Sequence, residues 1–173
     1  MATNTVVAIA PGIASRIGLG LTEAGLVLSV WFFVRALAFL NLWLWPGWHY
    51  RFSWFIGSLL VLLANFVAIV LAGNIRLLLI AQLGFGLSSA LLYYSSLYYS
   101  MVGSKTHKTH SEQGGIHEAL IGIGIFCGPA LSVVVQSFTC NSAAPAWVIA
   151  GALGVAVTMV FRIQRQSRFR MRQ

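Results

Sequence analysis

The chain has 173 residues, of which 58% are hydrophobic and only 8% are charged, and its mean hydropathy is +0.83. A soluble globular domain carries roughly 25% charged residues, so this composition excludes an ordinary soluble enzyme and is typical of an integral membrane protein. The formal net charge of +8 would fit a nucleic acid, but the basic residues lie between and after apolar runs, so we expect the lipid bilayer as partner and no nucleic acid.

Apolar runs divide the chain into one short segment and five long ones. The first apolar stretch, residues 5–14, is too short to span ~30 Å of hydrocarbon and predicts a partial helix. Runs of about twenty apolar residues predict spanning helices, because in lipid every backbone polar group must be paired within the chain. The predicted spans are 24–45, 53–73, 77–101, 114–138 and 143–161, followed by a basic tail at 162–173. The expected fold is an all-α, multi-pass helix bundle forming a single membrane domain over 1–173.

The first predicted span contains an arginine near its middle. Arg35 lies too deep for its side chain to reach either surface easily, so we expect it to face the bundle and to meet an anion. One interpretation is structural, with Glu118, backbone carbonyls or water as the partner; Glu23 is a further candidate. The other is direct contact with a substrate.

The third predicted span carries a polar stripe along its whole length. The stripe follows steps of 4, 3, 4, 3 and 4 residues, which keep its members on one side of a helix. It consists of Gln82, Gly86, Ser89, Tyr93, Ser96 and Ser100. Such a stripe is either a helix contact held by hydroxyl groups or one wall of a water-filled pathway. We favour the pathway, because tyrosines are bulky for close packing.

The fourth predicted span places a histidine and a glutamate on a side lined by glycines. His117 shares a stripe with Gly124 and Gly128, and Glu118 shares the adjacent one with Gly122 and Pro129. The glycines allow a close helix approach and the proline can kink the span, so this side faces protein or a cavity. Glu118 is then either an interfacial charge that stabilises the start of the helix or part of a charge network, gate or proton relay.

The basic residues predict the orientation of the chain in the membrane. One side collects eight of the eleven lysines and arginines, among them Arg51 and those of the tail, and the other keeps only Arg16 and Arg76. The positive-inside rule therefore predicts a plasma (inner) membrane protein with a cytoplasmic C-terminus.

We expect no enzyme activity, cofactor or metal. No nucleophile with a positioned base is evident, and no nucleotide-binding loop or metalloprotease helix appears. His107 and His110 are spaced as possible metal ligands, but a polar loop lacks the rigid geometry of a metal site.

Three segments resemble the C-terminal half of a major facilitator superfamily transporter. LGLTEAGLVLSVWFFVRALAF is similar to the end of that half's first helix, the following loop and its second helix. RLLLIAQLGFGLSSALLYYSSLYY resembles the fourth helix, and GGIHEALIGIGIFCGPAL resembles the fifth, with a glutamate and a glycine series ending in Gly-Pro. Of the family's loop motif after the second helix only Arg51 is present, and Ser132 replaces a glycine.

The resemblance implies a function and a partner. On this match Glu118, Gly122, Gly124, Gly128 and Pro129 stand in family positions, and the third span lines the central cavity. A complete transporter of this kind has two six-helix halves with the substrate between them. The chain is then a half or fragment of a secondary active transporter of a small solute, and it needs an N-terminal half or a second chain. The alternative is a non-transporting membrane scaffold or a truncated remnant without activity of its own.

Overall fold

The computed structural model describes residues 2–49, 51–102, 107–139 and 144–170, and these residues contain helices and turns but no strand. The helices are α1 (Ala2–Arg16), α2 (Leu21–Leu28), α3 (Val30–Leu44), α4 (Phe52–Leu71), α5 (Ile75–Val102), α6 (His107–Thr139) and α7 (Ala144–Arg170). A short 3₁₀ turn, Pro46–Trp48, joins α3 to α4. The all-α prediction is confirmed.

Five stretches are long and apolar enough to cross a membrane, as the sequence predicts. They are Thr22–Leu44, Phe52–Leu71, Ile75–Met101, Gly114–Thr139 and Ala144–Arg165. Many of their exposed side chains are large and apolar, including Trp43, Phe126 and Phe138. An apolar outer surface is what a helix bundle presents to lipid, so the chain is a multi-pass membrane protein by the length and composition of its helices.

The helices differ from the predicted elements mainly at their ends. The first span is divided at Ser29 into α2 and α3, and α7 runs through the stretch expected to be a tail as far as Arg170. The arginines and glutamines there are good helix formers, and no glycine or proline stops the helix. The helix α1 is longer than the predicted 5–14 because polar residues continue it at both ends, yet its 15 residues reach only about 22 Å.

The core lies where α4 and α5 pack against α1, α3 and α7. Its largest fully buried side chains include Trp31, Phe66 and Phe85, and the Trp31 and Phe85 rings meet edge to face at 5.5 Å between centroids. Two glycines of α5 allow the close approach. A Cβ at Gly86 would lie 2.7 Å from the Trp31 carbonyl oxygen, and one at Gly84 would overlap the Asn65 amide.

Two polar contacts attach α1 to the bundle. Arg16 Nη2 donates to the Val70 carbonyl at 2.6 Å, near the end of α4, where the helix dipole favours a cation. Asn4 Nδ2 donates to the Ile125 carbonyl of α6 at 3.2 Å. Pro129 has no N–H to offer that carbonyl, which lies four residues before it. The Asn4 side chain therefore replaces a helical hydrogen bond that the proline removes.

Candidate functional site

A group of polar side chains from three helices meets near one end of the spans. Arg35 comes from α3, Tyr93 and Ser96 from α5, and His117 and Glu118 from α6. We call these five residues the polar cluster. The residues of α6 lie beside those of α5 because the two helices run antiparallel. The last turns of the α5 span are therefore next to the first turns of the α6 span.

The polar cluster is held together by two hydrogen bonds between α5 and α6. The Tyr93 hydroxyl donates to Glu118 Oε1 at 2.8 Å, and Ser96 Oγ lies 2.8 Å from His117 Nε2. The Tyr93 and His117 rings also meet edge to face, with 5.7 Å between their centroids. Two residues one turn apart on α5 thus bind two consecutive residues on α6.

His117 lies between Ser96 and Glu118. Ser96 Oγ is 2.8 Å from His117 Nε2 and 2.8 Å from the Tyr93 carbonyl oxygen. His117 Nδ1 is buried, without a hydrogen-bond partner among the described residues, and lies 3.6 Å from Glu118 Oε1. The imidazole of His117 thus contacts both the Ser96 hydroxyl and the Glu118 carboxylate.

The deepest member of the polar cluster is Arg35. Its guanidinium carbon lies 5.3 Å from the centroid of the Phe39 ring and 5.6 Å from that of Tyr93, both within cation–π range. No carboxylate within the described residues forms an ion pair with it, and its Nε is buried without an acceptor. The Arg35 to Glu118 ion pair that the sequence allowed is not formed, because Tyr93 lies between the two and binds Glu118 itself.

The members of the polar cluster lie at different depths below the nearer end of the spans. Arg35 lies nine residues before the end of its span, about 14 Å, and Glu118 four residues after the start of its span, about 6 Å. The Glu118 side chain is 57% exposed, whereas that of His117 is 13% exposed. Glu118 is thus at the mouth of the polar cluster, and Arg35 is its inner end.

The other half of the predicted stripe is dry. Gln82 is completely buried and Ser89 is nearly so, and Gly86 touches the backbone of α3. Gln82 Oε1 accepts from the Trp31 backbone N–H at 3.4 Å, and Ser89 donates to the Gly86 carbonyl at 3.0 Å. That these two residues line a pathway stays a prediction, and in this structure both are buried. They form a helix contact, and only Tyr93 and Ser96 belong to the polar cluster.

The glycine series of α6 is not closely packed along its length. A Cβ at Gly122 would meet nothing within 4 Å among the described residues, whereas Gly128 is buried, and Gly124 and Pro129 are half-buried. Only 11% of the α6 span is buried, against 44% of the α5 span. The helix that carries His117 and Glu118 thus leaves most of its surface for lipid or for a partner.

The two cavities beside α1 are not lined by any residue of the polar cluster. One of about 570 Å³ lies between α1, α4, α6 and α7, with Arg16, Ser132 and Gln136 among its lining residues. Another of about 270 Å³ is almost wholly apolar and lies beside the break at Ser29. Within the described residues there is no group of three potential metal ligands, and the side chains of His107 and His110 lie outside the part described.

Comparison of the chain with known protein families, with curated proteins and with solved structures found no match. The resemblance to the major facilitator superfamily thus depends on the three segments quoted above.

Proposed function

We propose that this chain is one half, or a fragment, of a secondary active membrane transporter that moves a small solute by alternating access. The observation that carries the proposal is the polar cluster, in which Arg35, Tyr93 and Glu118 come together from three apolar spans. Charged groups within membrane spans are costly, and they are characteristic of solute and proton pathways.

The open face of α6 supports a two-part transporter. Glu118 is 57% exposed although it lies within a span, and a carboxylate does not stay in contact with acyl chains. A second half that covers this face would enclose the polar cluster between the two halves, where two-half transporters bind their solutes. The missing partner is an N-terminal half or a second chain.

In this proposal the bundle corresponds to one six-helix half. The five long spans would be its second to sixth helices, and α1 would belong to the first. The basic connection around Arg51 and the arginines of α7 support a plasma membrane location with the C-terminus in the cytoplasm.

One observation favours the alternative, a membrane scaffold or a remnant without activity of its own. The hydroxyls of Ser88, Ser89 and Ser100 donate to carbonyls of their own helix, so they need neither water nor a solute. A stripe whose hydroxyl groups are hydrogen-bonded within their own helix can serve helix packing alone.

The first test is the reading frame upstream in the source DNA. An in-frame segment with about six further spanning helices supports the transporter, whereas a stop codon directly upstream, together with inactivity in the uptake assay below, supports the scaffold or remnant.

The functional test is uptake of labelled small solutes into proteoliposomes that contain the protein encoded by the whole reading frame. Tyr93→Phe removes the hydroxyl that binds Glu118, and Tyr99→Phe is the matched control on the same helix, because no hydrogen bond of its hydroxyl is found among the described residues. We expect Tyr93→Phe to reduce the uptake rate about tenfold or more and Tyr99→Phe to leave it near the wild-type rate. Equal uptake by both variants, or no uptake of any solute, contradicts the proposal.

A further inference from the structure

We infer that Arg35 binds the negative group of the solute, and that the solute is a small organic carboxylate. This inference rests on the proposed function, because it names the substrate class of the same site. It starts from an imbalance of charge in the polar cluster. The Arg35 guanidinium lies about 14 Å inside the span and has no ion pair or hydrogen bond with any described residue.

The two aromatic rings beside Arg35 satisfy only part of its requirements. Phe39 and Tyr93 present their faces to the guanidinium, and such contacts contribute about 0.5 to 2 kcal/mol. A ring face accepts none of the five N–H donors that a guanidinium holds in one plane. Those donors still need an acceptor, because an unpaired charge within a membrane span is strongly unfavourable.

None of the carboxylates among the described residues forms an ion pair with Arg35. The acidic residues of the chain number three in all. Glu23 accepts from the Gly20 backbone N–H at 3.2 Å in the first turn of α2, and Glu118 accepts from Tyr93 at 2.8 Å. Glu112 lies outside the span of α6 and is exposed. We therefore expect the anion that pairs with Arg35 to come from outside the chain.

The surroundings select the kind of anion. A planar guanidinium matches the two oxygens of a carboxylate in a bidentate pair. The Glu118 charge at the mouth disfavours anions with more than one negative charge. The Phe39 ring lies next to Arg35 and packs against the Tyr94 ring, with 5.2 Å between their centroids, so the two rings offer an apolar surface to the body of the ligand. A small monocarboxylate with an apolar body fits these three conditions.

The test measures binding of benzoate to the protein encoded by the whole reading frame, in lipid nanodiscs, with neutral benzamide as the ligand control. We expect benzoate to bind saturably and benzamide not to bind. Arg35→Gln should weaken benzoate binding about tenfold or more, as loss of a charge-assisted pair requires. Arg76→Gln is the matched control, because Arg76 is an exposed arginine at the other end of α5. It should leave the affinity unchanged.

Two further measurements keep the result interpretable if Arg35→Gln does not fold. Arg35→Lys keeps the charge and should retain weaker binding of benzoate. Glu118→Gln removes the negative charge at the mouth and should bind benzoate several-fold more tightly. The inference is overturned if benzoate does not bind the wild-type protein or if benzamide binds equally well. It is also overturned if Arg35→Gln, Arg35→Lys and Glu118→Gln all leave the affinity for benzoate unchanged.

Failure of this inference differs from failure of the proposed function. If benzoate binds through Arg35 but no solute crosses proteoliposomes, the anion site stands and transport does not. If a neutral solute is transported at the same rate by wild type and Arg35→Gln, transport stands and the anion site is overturned.

Discussion

Gly86 is the residue at which α3 and α5 come closest. A Cβ there would lie 2.7 Å from the Trp31 carbonyl oxygen and 2.9 Å from Val34 Cβ, and the first of these is backbone that cannot rotate away. The position requires a residue without a Cβ atom, and the conformational freedom of glycine is not what it uses. The close approach allows Gln82, one turn earlier on α5, to reach the Trp31 backbone N–H.

Gly86→Ala should therefore separate α3 from α5 and lower the free energy of unfolding by about 1 to 3 kcal/mol. The measurement is the midpoint of unfolding in mixed micelles as the denaturing detergent is increased. Gly151→Ala is the control, because Gly151 is exposed on α7 and a Cβ there meets nothing within 4 Å. A midpoint for Gly86→Ala equal to that of Gly151→Ala would show that the helices do not meet as described.

At the scale of single residues, the sequence predicts which face a polar side chain occupies but not what it meets. The spacing of Tyr93 and Ser96 places them on one face of α5, and the glycines identify the protein-facing side of α6. The pairing of Tyr93 with Glu118 depends on the relative height of the two helices, which tertiary packing sets. For the same reason the sequence could not tell that Gln82 and Ser89 lie in a dry contact while Ser96 does not.

At the scale of helices, two irregularities arise from different causes. Pro129 is evident in the sequence, and its consequence is the unpaired Ile125 carbonyl that Asn4 reaches from α1. No proline in the sequence indicates the break between α2 and α3. Ser29 donates to the Leu26 carbonyl at 2.8 Å, and the Gln82 side chain reaches the Trp31 backbone N–H across the contact, so the break depends on a neighbouring helix. The sequence therefore predicted one continuous span.

The contact of Asn4 with α6 can be tested by a double-mutant cycle. Asn4→Ala in the wild-type chain leaves the Ile125 carbonyl without its partner and should cost about 1 kcal/mol of stability. Pro129→Ala restores an N–H to α6, which can bind that carbonyl within the helix. In the Pro129→Ala background, Asn4→Ala should then cost clearly less, as the coupling requires. Identical costs of Asn4→Ala in both backgrounds would mean that Asn4 does not compensate for the proline.

At the scale of the whole molecule, the spans and the expected orientation follow from the length of the apolar runs and the charge of the loops. The side-chain contacts between helices follow from neither. The five predicted spans agree within a few residues with the five stretches that are long and apolar enough to cross a membrane, because the length of an apolar run is a local property of the sequence. The orientation is a prediction from charge alone, and α4 offers a matched pair of positions to test it. Ser53 is exposed near its start and Gly73 is exposed just after its end.

Single cysteines at these two positions, in a chain whose Cys127 and Cys140 are replaced by serine, report the orientation. A membrane-impermeant thiol reagent should label Gly73→Cys in intact cells and Ser53→Cys only after the membrane is permeabilised. The reverse pattern would show the C-terminus on the outer side.

The central claim is that α5 is hydrated where it carries the polar cluster, and dry at Ser89 one turn before Tyr93 and at Leu87 on its outer surface. Water access along α5, measured in the same cysteine-free background with a hydrophilic thiol reagent present on both sides of the membrane, tests this claim most directly. Ser96→Cys should react readily. Ser89→Cys, buried against neighbouring helices, and Leu87→Cys, exposed on the outer surface, should react at least about tenfold more slowly. Equal protection of all three positions would show that no hydrated site exists at Ser96, and the transport account would be contradicted.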